Sequence, residues 1–256
     1  MRLLAWVNGR VVDASEYQPQ YPYVQQRIHT LGFQASNIEE HIRLLCAASQ
    51  RYFAFASLCK ASDAQRIITK LLDLSRVTKS SSVPIVMRLD CRGELSFVVE
   101  HPTFGKGGYL RAKRLAGVTL NFPIHNVDVQ DSMSVSADML ADTLVAPLGG
   151  ERAILVDAND NLISRSWQPI FVAFNNRVYT PKAHDSVEYQ VACRAFERAG
   201  VELEVRQIAN SVLERMEEIF VVDIMGISSY ANIRKHRLLS ALALRVARVM
   251  EPMSED

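Results

Sequence analysis

The chain has 256 residues, 48% apolar and 22% charged, enough for a full hydrophobic core and unlike a disordered, collagen-like or coiled-coil sequence. Its 29 lysines and arginines are matched by 28 acids, so no positive excess exists to neutralise nucleic-acid phosphates or an anionic bilayer. No apolar run reaches the roughly 20 residues of a membrane span, and the stretch before Asn8-Gly9 is too short for a signal-peptide core, so a cytoplasmic protein with neither nucleic-acid nor membrane partner is expected.

In chain order, Asn8-Gly9 between short apolar runs predicts a hairpin over residues 3–12. A loop with two prolines follows, then a strand over 23–30. Ser36-x-x-Glu39 reads as a capping box opening a helix with Ile38, Ile42, Leu45 and Ala48 on one face, and Ser62-x-x-Gln65 as the start of a second, burying Ile67, Ile68, Leu71 and Leu72. Runs 83–90 and 94–100 flank a turn at Cys91-Arg92-Gly93, 103–108 is a glycine-bearing loop, and 118–122 is a strand. A helix over 136–144 precedes three apolar strands, 153–157, 162–164 and 170–174. A long helix over 187–199 stops at Gly200, followed by a strand 201–205, a helical turn 211–216, a strand 219–223 and a C-terminal helix 238–250.

This order predicts an α+β protein with a small N-terminal domain over 1–115, an interdomain linker over 116–130 and a larger C-terminal domain over 131–256. Its four cysteines show no C-x-x-C spacing and read as buried reduced thiols. The six histidines are scattered, so no metal is expected from local sequence.

Several phrases resemble the class IV aminotransferase and aminodeoxychorismate lyase family, the fold-type IV enzymes that use pyridoxal 5′-phosphate (PLP). They are Trp6-Val7-Asn8-Gly9, Glu40-His41-Ile42, the run from Asn161 to Phe171, Val178-Tyr179-Thr180-Pro181, and Glu218 to Asp223 leading to Gly226-Ile227. They fall in the family's order across nearly the whole chain. The resemblance implies a two-domain fold-type IV architecture resembling the D-amino acid and branched-chain aminotransferases, and a homodimer.

It also implies cofactor groups that this chain lacks. Relatives form a Schiff base through a lysine in a K-T-x-N-Y-L phrase. The matching stretch, 131–138, has none, and no lysine occurs between Lys113 and Lys182. The glutamate that holds the pyridine nitrogen in T-E-G-T-S-S-N-I-F is Ser164 here, with Arg165 beside it. The phosphate-binding arginine of E-H-x-x-R-L is replaced by Leu44, with Arg43 about 100° away around the helix. Where relatives place G-I-T-R at a helix N-terminus, this chain has Ser186-Val187-Glu188-Tyr189. A carboxylate there repels phosphate by about 3 kcal/mol per charge at about 5 Å and an effective dielectric near 20. The Gly226-Ile227-Ser228-Ser229 run resembles the family's second phosphate-side turn.

The sequence is therefore read as a degenerate family member without PLP. Its vacated cofactor cleft would bind, and convert by acid–base chemistry, a small carboxylated or aromatic metabolite, within a biosynthetic pathway. Glu188 and Tyr189 are the candidate catalytic pair. Arg27 and Arg165 are candidate carboxylate binders, with Arg43, Ser164, Trp167, Ser228 and Ser229 completing the lining. Two alternatives stay open. A non-catalytic partner subunit would have Met133, Leu44 and Trp167 fill the cofactor space; an active PLP enzyme would recruit Lys106, Lys113 or Lys182.

Overall fold

Asn8 and Gly9 take positive φ, 45° and 92°, and turn β1 (Leu4–Val7) onto β2 (Arg10–Asp13), as Asn-Gly predicts. The structure is a computed structural model, described over residues 2–57, 59–102, 104–105, 109, 111 and 113–250. It divides into two units, the first taking 1–107 and 129–132, the second 108–128 and 133–251. The loop expected over 103–108 lies largely outside the described residues.

After the hairpin, unit 1 continues with β3 (Tyr23–Leu31), β4 (Gln34–Ala35), α1 (Ile38–Phe53), α2 (Ala61–Leu74), β5 (Ser81–Asp90), β6 (Leu95–Val99) and β7 (Phe104–Gly105). The strands form an antiparallel sheet in the order β2-β1-β6-β5-β3-β4, with β7 on β5. Leu45 and Ala48 of α1 and Ile68, Leu71 and Leu72 of α2 pack on Ile28, Ile85, Met87 and Phe97 of the sheet. Neither helix uses its expected capping box. α1 starts at Asn37 in the left-handed region without a side-chain cap, because the Ser36 hydroxyl is taken by His29 at 3.2 Å. At α2, capped only by the backbone of Lys60, Gln65 reaches back to the amide of Ala35 and the carbonyl of Phe33.

Unit 2 carries β8 (Leu115–Asn121), α3 (Ser132–Val145), β9 (Arg152–Val156), β10 (Ile170–Phe174), β11 (Arg177–Thr180), α4 (Val187–Arg198), β12 (Glu202–Val205), β13 (Glu218–Asp223), β14 (Gly226–Ile233), β15 (His236–Arg237) and α5 (Ala241–Val249). Its sheet runs β12-β11-β10-β13-β14-β8-β9, with β15 paired to β14. β8, inside the stretch expected as a linker, lies parallel to both β9 and β14. Residues 162–164, expected as a strand, make only a single bridge, Val156 to Leu162.

β14 corrects the reading of Gly226-Ile227-Ser228-Ser229 as a turn. The turn is Ile224-Met225, closed by the pairing of Asp223 with Gly226, and the serines stand within the strand. Gly226 marks a close approach instead. Its φ is 114°, and a Cβ there would stand 2.4 Å from the Tyr109 carbonyl oxygen, whose chain hydrogen-bonds Ile227. On one face of the sheet Phe171 and Phe220 pack against Phe196 of α4. The other face buries Ile170, Val172, Ile219, Val221 and Tyr230 with Leu162, Ile208 and Leu213. No helix among the described residues is long and apolar enough to cross a membrane.

Candidate functional site

The segment from Asn161 to Pro169 leads into β10 and carries Ser164, which is buried. Its hydroxyl oxygen accepts the Ile170 amide at 3.3 Å and lies 3.0 Å from Nε2 of His184. The other ring nitrogen, Nδ1, is 3.3 Å from Oδ1 of Asp128, and the Lys182 ammonium donates to both oxygens of that carboxylate at 2.7 Å. Burial pushes the His184 imidazole below its ordinary pKa, and Asp128 opposes this without reversing it. Burial works to raise the Asp128 carboxyl, but Lys182 and then His184 hold it below the usual carboxylate value. A serine, an imidazole and a carboxylate from three separate stretches thus form one hydrogen-bonded chain within unit 2.

Arg165, the next residue, turns to α3. Its guanidinium is paired with Asp138 and donates to Gln168 Oε1 at 2.8 Å. The indole of Trp167 donates to the second oxygen of Asp138 at 2.9 Å. Arg165 is 8% exposed and Asp138 18%, so a nearly buried charge is neutralised by an internal partner. Arg165, a candidate carboxylate binder, has its charge matched within the chain by Asp138.

The start of α4 is also engaged. Ser186 is its N-cap, accepting the Tyr189 amide at 3.3 Å and donating to the Ser166 carbonyl at 2.7 Å. Glu188 is buried in the first turn, where the helix dipole favours a carboxylate. The Tyr189 ring stacks on Phe171 and meets His184 edge-on at 6.1 Å. Burial, helped by Cys193 one turn on, pushes its phenol up to about 12. On the β13–β14 turn, Asp223 accepts the Met225 amide at 2.8 Å and pairs with Arg111 at 2.7 Å.

Ser228, Ser229 and Tyr230 are buried hydroxyls without a hydrogen-bond partner among the described residues. Ser228 and Tyr230, two apart on β14, share a face. The Tyr230 phenol, raised by burial to about 12, feels the charges of Arg152, Arg165, Asp142 and Asp138. Leaving such a buried hydroxyl unanswered costs about 1–3 kcal/mol.

The remaining candidates belong to unit 1. Arg27 donates to Glu100 at 2.6 Å and lines an open cavity of about 760 Å³ with Pro84, Val98 and His101. Arg43 is half-exposed and bound twice by Glu40 on its own helix, at 2.8 and 2.6 Å. Of the side chains named for the partner-subunit alternative, Met133 is 61% exposed, Leu44 is half-buried and Trp167 is tied to Asp138. Of the alternative lysines, Lys113 pairs with Glu151, Lys182 binds Asp128, and Lys106 lies outside the described residues.

No protein-family model matches this sequence, and no curated protein does. Solved structures do match. A branched-chain aminotransferase from Thermoproteus uzoniensis, solved with norvaline, superposes with a TM-score of 0.77 over 98% of this chain and 94% of its own, at 16% identity. A putative branched-chain amino acid aminotransferase from Thermotoga maritima gives 0.79 over 98% and 95%, at 14%. An aminotransferase from Brucella abortus bound to PLP gives 0.79 over 97% and 98%, at 12%. The chain has the fold of the fold-type IV aminotransferases.

Asp128, Asp138 and His184 are not among the candidates read from sequence, and Lys182 is there only as an alternative cofactor lysine. They lie 26 or more residues from Ser164 or Arg165, or beyond a strand and turn, with no local motif linking them. The position of His184, two residues before the α4 cap, was the one available signal.

Proposed function

We propose that this chain is a PLP-independent homologue of the class IV aminotransferases, binding a small carboxylated or aromatic metabolite on unit 2 and converting it by acid–base chemistry. One observation carries the reading: positions that the resemblance assigns to the cofactor are bound to the chain's own groups. Ser164 is held by His184, and the first turn of α4 is capped by Ser186 and loaded with Glu188. No lysine lies between Lys113 and Lys182. On this reading the residues present do not fit PLP, and no step passes through it.

The ligand would answer the unpartnered hydroxyl of Ser229, which pairs with Phe220 and so stands on the α4 face of the sheet with Phe171 and Tyr189. Tyr189, whose phenol keeps its proton at neutral pH, suits a proton donor, and Glu188 the partner carboxylate. We further propose a cytoplasmic homodimer acting in biosynthesis. Met133, Leu140 and Leu144, all exposed, fall within about 40° of one another around α3 and offer an apolar stripe for the second copy.

The test is the visible spectrum of the purified protein with and without added PLP, then borohydride reduction and intact mass. No new band and no adduct are expected. A reduced adduct on one lysine overturns the reading.

A further inference from the structure

A buried serine bonded to a buried histidine is common enough as a structural contact; unit 1 has one where His29 lies between Ser36 and Ser82 at 3.2 and 3.1 Å. His184 differs in what faces its second nitrogen. When the proton sits on Nδ1, donated to the Asp128 carboxylate that Lys182 pins, the Nε2 lone pair accepts the Ser164 O–H; the opposite tautomer would donate from Nε2 to Ser164. The first tautomer, in a ring kept neutral by burial, is the one a general base requires. Nucleophile, base and orienting acid are in hydrogen-bond order, with separations of 3.0 and 3.3 Å.

We propose that Ser164 is a nucleophile activated by His184, with Asp128 as its positioning residue, and that unit 2 hydrolyses an ester or thioester of a small carboxylic acid. The Ser164 oxygen forms a bond to the acyl carbon while its proton passes to Nε2 of His184. The carbon–oxygen or carbon–sulfur bond to the leaving group breaks, and that group takes the proton from His184. Water then attacks the acyl-serine, giving one proton to His184 and releasing the carboxylic acid as Ser164 recovers its own. Ser164 is 3% exposed, so acetyl transfers faster than longer acyl chains.

The proposal rests on the PLP-independent reading, because a cofactor held at Ser164 would occupy its hydroxyl. Its test uses a small probe, methanesulfonyl fluoride, on the whole chain, followed by peptide mass spectrometry. The expected result is one methanesulfonyl group on Ser164, none on Ser82, and p-nitrophenyl acetate hydrolysis lost in parallel. Ser164→Ala abolishes both. His184→Gln slows labelling at least about tenfold, and Asp128→Asn does the same while Asp128→Glu restores part of the rate. Asp128 is 45% exposed, so its variants keep the fold even if His184→Gln does not, and circular dichroism checks this. Ser164 left unlabelled in a protein that forms no lysine adduct with PLP overturns the nucleophile alone. Labelling unchanged by His184→Gln and Asp128→Asn overturns the relay. A PLP–lysine adduct instead overturns the reading beneath it.

Discussion

The two units handle buried polarity in different ways. Unit 1 buries His29 between two serines and His41 against Gln26; burial drives them down to about 4 and about 3, the latter against the opposing pull of Glu40. Unit 2 sets its buried polar groups against charge: His184 against Asp128 and Lys182, Arg165 against Asp138, Asp223 against Arg111. Desolvation acts on His184 too, but an ionised partner faces its Nδ1 and opposes that shift. The same imidazole–hydroxyl contact is thus a structural tie in one unit and an acid–base device in the other.

Breaking a charge pair in unit 2 gives the largest expected effect. Asp138→Ala strands the Arg165 guanidinium and frees the Trp167 indole, at a cost of about 3 kcal/mol in urea unfolding. Arg165→Met with Asp138→Leu recovers most of that, because two apolar side chains replace a matched pair. A single variant that is as stable as the parent breaks the comparison.

Unit 1 gives a pH effect of similar size and different origin. The unfolded chain protonates His29 near pH 6.5, whereas the folded chain resists until about pH 4. Stability therefore falls as pH drops from 6.5 to 4, by about 3 kcal/mol from this residue, and is flat with respect to it above 6.5. His29→Gln removes this share of the pH dependence of the urea midpoint across that window and leaves the share of His41, which burial holds down to about 3. A profile unchanged by the substitution shows that His29 is not the group responsible.

The smallest effect sharpens the contrast between helix starts. α1 has no side-chain cap, whereas α4 has Ser186. Ser186→Ala is expected to cost about 1 kcal/mol, somewhat more for losing the Ser166 contact, while Asn37→Gly at α1 is neutral or stabilising because the residue already has φ near 50°. Chemical denaturation of the two variants checks this.

Local chemistry made much of the fold legible. The Asn8-Gly9 hairpin, the apolar faces of α1 and α2, and α4 with its terminal Gly200 follow from turn geometry and periodicity, which act over a few residues. The polar interior of β14 concealed a buried strand behind a turn-like Gly-Ile-Ser-Ser run. Its burial comes from β13 and β8 on either side and from the Tyr109 backbone, none of which the run itself encodes. Ser36 and Gln65 were misread for a related reason: each had a tertiary partner able to outbid its local cap.

The site was legible in its absences more than in its contents. Sequence by itself determined that no lysine lies between Lys113 and Lys182, that serine stands at position 164, and that Glu188 lies at the start of a long helix, because composition and spacing need no folding to be counted. Only the tertiary structure decided that Arg165 faces Asp138 and that His184 links Ser164 to Asp128. Such partners lie 20 to 56 residues apart and meet only when β10 and α4 are in place, since a hydrogen bond is specified by distance in space.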